Sequence, residues 1–357
     1  MSIKKIAEMT GASVSTVGRV LSNPDHKCSS EELRERILQA ARDINYVPNE
    51  AARNLKTGGS AKKEVYYINI LLTGLADEEN DPFFSEIARL TELEIRKNGC
   101  VISSSWHRAE FSDDKFCMSE DMDTVVSEMY GDKEQRSDGL IIIGRCCPKG
   151  LKALRRRDKN IVSINRGSAN GEVDEVLCDG RKVAMTAIEH LVKCGHSKIG
   201  YVGNCHNEAR FEGYQSALTY FHLENDIDYI FDTTANEDHG IKAMEYFSNL
   251  DDPPTAIYCA NDILAIGMLK AMNRRRKYFY SPSIISGDDI AEAQYTKPML
   301  TTVALPKAEM ARFAMILLLD RINGGHKTVS RLELEGTLMK RESVRSIHEQ
   351  NEPEYYI

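Results

Sequence analysis

The chain has 357 residues, 42% hydrophobic and 28% charged, with a formal net charge of −8. That length suits two or three domains at roughly 150 residues each and can bury a core without staples, and the composition is that of a globular protein rather than a disordered or collagenous one. The charge is uneven, +4 over residues 1–63 and −12 over the remainder, and a basic head on an acidic body is a pattern that meets nucleic acid.

The longest apolar stretches, such as Phe313–Leu319, are far shorter than the roughly 20 residues needed to span a bilayer. The opening MSIKKIAEMT has no apolar h-region, so a cytoplasmic protein is expected. Nine cysteines without a C-x-x-C disfavour a disulfide framework and the common zinc modules, and reduced thiols are expected.

In chain order, residues 1–47 read as a helical domain. Ile3, Ile6, Ala7 and Thr10 share one face of a first helix, which Gly11 can end by taking positive φ. Ser13 offers an oxygen to cap a second helix carrying Val14, Val17, Val20 and Leu21, with Val17 and Leu21 turned to the core. Asn23-Pro24-Asp25 breaks the chain. Ser29 with Glu32 forms a capping box for a third helix striped by Leu33, Ile37, Ala40, Ala41 and Ile44. A Gly turn between the first two of three short helices marks a helix-turn-helix. In that geometry the second helix enters the major groove of duplex DNA. Val14 and Ser15 would then reach base edges, and Arg19 could grip a guanine bidentately. Ser13, Thr16 and Asn23 are placed for phosphates, which position without specifying. The competing reading is a helical docking domain that touches no DNA.

Residues 48–63 read as a hinge and linker. Asn49 can cap a helix from Glu50 to about Lys56, closed by Gly58. Two turns are too short to be stable alone, since roughly 12–15 residues are needed. The segment is expected to order on contact with DNA. Ala51 and Ala52 permit close approach of a second copy, and Leu55 is an apolar wedge suited to a minor-groove step. An ordinary flexible linker is the alternative.

From Val65 onward, short β-rich runs alternate with helical stretches. The runs are Val65–Leu72, Val101–Ser104, Leu140–Ile143, Ile161–Ile164, Val176–Leu177, Ile199–Val202, Tyr229–Phe231, Ala256–Cys259, Ile284–Ser286, Thr301–Ala304 and Arg331–Leu334. Such alternation predicts parallel sheets covered by helices, and this many strands fit two lobes better than one open sheet. Polar residues gather in loops after strands: Asn80 to Phe84, Arg210 to Gly213, Asn261-Asp262 and Ser286 to Asp289. A guanidinium, an amide and a carboxylate at the mouth of an interlobe cleft suit a polyhydroxylated ligand, with Phe83 or Phe84 as a stacking face. Each has a plainer alternative: Asn261 as a helix cap, Arg210 as a surface ion-pair partner, Phe83 and Phe84 as core.

The run Ile6 to Asn23, with Tyr46-Val47-Pro48-Asn49 and Ala51 to Gly58, resembles the lactose/galactose repressor (LacI/GalR) family of bacterial transcription regulators, and the resemblance extends to about Ser343. It implies a homodimer, or a tetramer, on a pseudo-palindromic double-stranded operator. It also implies that Leu55 from paired hinge helices opens the central minor groove, with Lys56 beside it and Asn49 and Ala52 in the same DNA-contacting set. In the body, Arg210 to Gly213, Asn261-Asp262 and Gly287-Asp288-Asp289 before Pro298 to Thr302 match the family's motifs. By that match Arg210, Asn261 and Asp288 bind an effector, with Asp289 as the alternative to Asp288; Asn80 and Phe83 join them on the reading of the first loop's own residues. Gly18 stands where relatives usually carry Ser. The aromatic usual between Gly287 and Asp288 is missing. Thr234, Ala235 and Asn236 fill a place where relatives often hold an aromatic.

The expected architecture is thus an N-terminal all-α helix-turn-helix domain (1–47), a hinge helix and linker (48–63), an α/β two-lobed periplasmic-binding-protein-like domain of two parallel sheets flanked by helices (64–345), and a tail (346–357). No G-x-G-x-x-G, Walker or G-x-S-x-G motif occurs, so no cofactor, metal or catalytic set is expected. Cys146-Cys147 reads as packing. The expected function is a ligand-responsive repressor sensing a sugar, with a purine or other metabolite also open. The alternative is a sugar-processing enzyme or binding protein with a helical docking head.

Overall fold

A computed structural model describes residues 3–22, 30–44, 65–74, 82–112, 114–131, 137–165, 171–206, 208–274 and 280–347. The chain divides into two compact units, Met1–Glu64 and Val65–Ile357.

The first unit holds helices α1 (Ile3–Thr10), α2 (Val14–Ser22) and α3 (Glu31–Asp43). Ile6, Val17, Val20 and Ile37 are fully buried at its centre. Val20, rather than Leu21, shares that centre with Val17, while Leu21 packs at the edge. Gly11 turns the chain at φ 70°. Ser13 Oγ accepts the Thr16 N–H at 3.1 Å, which caps α2 as its sequence suggests. The cap of α3 is Ser30, whose Oγ accepts the Leu33 N–H at 3.2 Å. The helix thus starts one residue later than the Ser29–Glu32 box implies; Ser29 lies outside the described residues. Arg36 donates to the Thr10 carbonyl at 2.8 Å and satisfies an orphan acceptor at the end of α1.

The second unit contains two sheets of six strands. The first uses β1 (Tyr67–Leu72), β2 (Val101–His107), β3 (Gly139–Ile143), β4 (Ile161–Asn165), β5 (Asp174–Leu177) and β11 (Arg331–Glu333), in the order β11-β5-β4-β3-β1-β2, all parallel. Helices α4 (Pro82–Lys97), α5 (Asp114–Ser119), α6 (Met122–Tyr130) and α7 (Pro148–Arg157) alternate with its strands. The second sheet uses β6 (Ile199–Gly203), β7 (Ile230–Asp232), β8 (Ala256–Cys259), β9 (Ser283–Asp288), β10 (Thr301–Ala304) and β12 (Thr337–Met339), in the order β12-β10-β9-β8-β6-β7. Its helices include α8 (Gly180–Lys193), α9 (Ala209–Tyr220), α10 (Glu237–Ser248) and α11 (Asp262–Arg274). Strand β3 is buried at every residue, as a sheet covered on both faces requires. Strand β12 is absent from the sequence reading and pairs antiparallel with β10. It is three residues of mixed exposure, too short to show a periodic signal.

Helix α12 (Lys307–Ile322) follows the second sheet's β10 yet packs on the first lobe, where the side chain of Leu318 meets Gly139 of β3. Met310, Ala314 and Leu318 are buried, which makes it a core helix, though Ile316 faces out. The chain therefore passes between lobes three times: between β5 and α8, between β10 and α12, and between β11 and β12. In the last turn of α12, Arg321 grips Asp174 with Nε at 2.5 Å and Nη2 at 2.6 Å. His326 joins them, with Nε2 2.8 Å from Asp174 and Nδ1 2.5 Å from Asp320.

The thiols depart from expectation. Cys117 and Cys147 form a disulfide, which ties α5 to the residue before α7. Cys147 is thus more than packing, and its sulfur also accepts the Gly150 N–H at 3.2 Å. The short helix α5 that brings Cys117 to it has no signature in the sequence. Cys100, Cys146, Cys178, Cys194, Cys205 and Cys259 form no disulfide among the described residues.

Candidate functional site

In the head, α2 buries Val17 and Val20 and turns its other face outward. Ser13, Val14, Ser15 and Arg19 are exposed, and Val14 keeps 39% of its surface open despite being apolar. An exposed valine beside exposed hydroxyls at a helix start is a surface that can meet a thymine methyl and base-edge acceptors. The Ser13 hydroxyl lies 2.8 Å from both Ser15 Oγ and Thr16 Oγ1. These hydroxyls surround the positive end of the α2 dipole, where phosphate oxygens are favoured. Gly18 has open space where a Cβ would stand. Asn23, Asn49, Ala52, Leu55 and Lys56 lie outside the described residues, as does the whole hinge helix.

In the body, the sequence-derived residues divide between two strand-order reversals. Phe83 starts α4 after β1, beside the β1/β3 reversal of the first sheet, and Arg210 starts α9 after β6, beside the β6/β8 reversal of the second. Ligands of open α/β sheets bind in the crevice outside the strands' carboxyl ends at such points. Asn261 follows β8 and Asp288 ends β9.

Arg210, Asn261 and Asp288 come together. Arg210 Nη2 lies 2.6 Å from Asp288 Oδ1, and each side chain is 2% exposed. Arg210 Nη1 donates to the Ala260 carbonyl, the residue before Asn261. Burial alone would strip the guanidinium of its proton more easily, but Asp288, Tyr258 and Glu208 hold its pKa above the ordinary value. Arg210 is thus no surface ion-pair partner. Its Nε and the Tyr258 hydroxyl are buried without a hydrogen-bond partner among the described residues, which leaves polar capacity in the site that a ligand or water can use. Asn261 Oδ1 accepts the Leu264 N–H at 3.0 Å and so caps α11. The cap uses only the amide oxygen and leaves the amide nitrogen as a separate donor.

Asp288 rather than Asp289 faces the arginine. Asp289 pairs instead with Arg341 at 2.6 Å. Phe83 is 1% exposed and sits in the core, its ring 5.4 Å from Phe84 in an edge-on contact. The half-buried Phe84 is the more accessible face of the two. Asn80 lies outside the described residues. Asn236 caps α10 by accepting the Asp238 N–H at 2.8 Å, which accounts for a polar residue there.

Sequence reasoning missed Asp262, which is fully buried one residue past Asn261. Its Oδ1 accepts from Ser286 at 2.6 Å and Thr302 at 2.7 Å, and its Oδ2 from the Ile290 N–H at 2.8 Å. Burial and the neighbouring Asp288 carboxylate push its pKa up to about 6. The Asn-Asp pair itself was the signal: one residue caps the helix from outside, the other pins β9 and β10 from within. Among the described residues no group of three His, Cys, Asp or Glu side chains could hold a metal, and no helix is long and apolar enough to cross a membrane.

A head with an outward-facing recognition helix and a two-lobed body with a buried Arg210–Asp288 pair define a ligand-responsive, DNA-binding transcription regulator. Residues 2–49 match the family described as bacterial regulatory proteins, lacI family, and residues 188–344 match the periplasmic binding protein-like domain. The chain thus carries a lacI-family DNA-binding head and a periplasmic-binding-like body, and the curated proteins it is similar to are transcriptional repressors. It is 29% identical over 354 residues to the HTH-type transcriptional repressor CytR of Escherichia coli K12, covering 97% of each chain. Its fold is similar to a CelR–cellobiose complex, with a TM-score of 0.64 and 22% identity over 96% of this chain and 99% of that one. It is likewise similar to a lac repressor dimer bound to operator and the anti-inducer ONPF, with a TM-score of 0.64 and 21% identity over 97% and 99%.

Proposed function

We propose that this chain represses transcription as a homodimer on a pseudo-palindromic operator and that a sugar, or the sugar moiety of a larger ligand, occupies its interlobe cleft. Residues 1–47 read the operator, 48–63 form the hinge, and 64–345 sense the effector, in the cytoplasm where the operator lies. Val14, Ser15 and Arg19 meet base edges; Ser13, Thr16 and Asn23 meet phosphates. Asn49, Ala52, Leu55 and Lys56 act at the hinge.

The observation that carries the effector reading is the buried Arg210–Asp288 pair with Asn261 beside it. A vicinal diol matches this set, because one hydroxyl can donate to Asp288 while its neighbour accepts from Arg210 or the Asn261 amide. The solved relative with cellobiose bound supports a saccharide in a fold of this kind. The test is a thermal-shift screen of the full chain against D-ribose, D-galactose, cellobiose and cytidine, repeated with Asp288→Asn. A ligand at 100 times its Kd adds about 2.7 kcal/mol by mass action. The reading predicts that one of these raises the Tm of the native protein and not of the variant. A ligand that shifts both equally binds elsewhere.

For the DNA arm, footprinting should protect a symmetric site, and affinity should fall steeply with salt. Arg19→Ala should relax preference at one base position per half-site, at about 1–3 kcal/mol. Loss spread evenly over all sequences would make Arg19 a phosphate contact.

A further inference from the structure

The turn that presents Asp288 is held from the other lobe. Asp288 and Asp289 both take positive φ, 131° and 50°, a region that disfavours any residue with a Cβ. Two such residues in succession persist only where their surroundings over-determine them. Four side chains do so here. Asp262 accepts the Ile290 N–H, and Thr302 Oγ1 accepts the Asp289 N–H at 3.4 Å. Arg341 holds the Asp289 carboxylate at 2.6 Å. Lys307 Nζ donates to the Asp288 carbonyl at 3.2 Å and the Asp289 carbonyl at 2.9 Å.

The first three lie on the β8–α11 junction, β10 and the segment after β12, all within the second lobe. Lys307 differs. It begins α12, the helix that packs on the first sheet, and its side chain is 9% exposed. Its third partner is Glu86 Oε2 of α4, at 2.6 Å. The Phe83 ring, one turn earlier on α4, lies 6.0 Å away. One buried ammonium therefore joins both carbonyls of the strained turn to the first turns of a first-lobe helix. An ammonium has three donors and no acceptor, and a buried one needs a countercharge. Among its observed contacts only Glu86 supplies that charge.

We infer that Lys307 is a positioning residue that couples the Asp288–Asp289 turn to helix α4 through Glu86, so that movement of either is felt across the cleft. An effector that draws on the Asp288 carboxylate shifts the carbonyl behind it, and through the ammonium that shift reaches the start of α4. The effector's part in this rests on the function proposed above; the mechanical link between the two lobes does not.

Hydrogen–deuterium exchange on the full chain tests the link without any ligand. Glu86→Gln removes the charge but keeps the shape. It should speed exchange of the Asp289 and Ile290 amides, in the opposite lobe, by about threefold or more, a modest factor because Glu86 is 37% exposed. Amides of the interior strand β3 should keep their rates. Glu86→Asp, which retains the charge, should restore most of the protection. Lys307→Met should reproduce the effect, and adding Glu86→Gln to it should change the turn no further. Wild-type rates at Asp289 and Ile290 in Glu86→Gln would overturn the inference, as would Glu86→Asp behaving like Glu86→Gln. Should Lys307→Met fail to fold, the two Glu86 variants decide alone. A failed ligand screen would remove the sugar reading and leave this exchange result standing.

Discussion

The Arg210 guanidinium and the Asp288 carboxylate stand 2.6 Å apart with their side chains almost wholly out of water. A pair this buried is costly to split, because the surviving charge has nowhere to go. Asp288→Ala should lower unfolding free energy by about 3–5 kcal/mol. Urea titration checks it, and the double variant with Arg210→Met should recover part of the loss. A single variant as stable as the native protein would mean that water reaches Arg210 freely.

Asp262 sets a pH dependence of known sign. Its folded pKa of about 6 lies above the ordinary 3.8. The folded state thus binds its proton more tightly than the unfolded chain. The resulting stabilisation is fully present below about pH 3.8 and is lost as pH rises through about 6. Asp262→Asn cannot titrate. Native minus variant stability should therefore rise by on the order of 2–3 kcal/mol on going from pH 7 to pH 4. A pH-independent difference would show that the carboxylate stays charged.

His326 acts in a neighbouring window. Asp320 first, and Asp174 second, raise its pKa above 6.5, against the opposing Arg321 charge. A cation stabilised by folding contributes fully below about pH 6.5, and the contribution fades as pH climbs through the raised folded value. His326→Gln should cost the most Tm near pH 6 and progressively less toward pH 9. A cost that grows with pH would refute the assignment of charge.

Helices α10 and α11 meet at two glycines. A Cβ on Gly240 would strike the Leu264 carbonyl, and one on Gly267 would strike the Glu237 carbonyl. Backbone cannot swing aside as a side-chain end can. Gly267→Ala should therefore destabilise by about 1–3 kcal/mol, despite alanine's better helix propensity. Gly18 gives the reverse case, since no described residue lies within 4 Å of its would-be Cβ. Gly18→Ala should slow amide exchange in α2 by up to about fivefold, the factor given by ~1 kcal/mol of propensity.

The legible part of this molecule was what repeats or caps. Alternating apolar runs located most of the strands, and the polar residues at strand ends, narrowed to Arg210, Asn261 and Asp288 by the family resemblance, led to a real cluster. What escaped was whatever depends on lengths too short to show a period, such as β12 and α5, and with α5 the Cys117–Cys147 bond. Phe83 escaped for another reason. Two adjacent aromatics at a helix start point to different sides, and only packing decides which one is core. Lys307 carries no signal in the sequence, because its partners lie 18, 19 and 221 positions away.

Three short strands of chain join the two halves of the body, and that multiplicity bears on the economics of sensing. Each half is presented to the other at a high effective concentration from the moment the protein folds. A small molecule arriving in the gap need not supply the entropy of bringing two free bodies together. Its few polar contacts are left to choose among rotations that the tethers already permit.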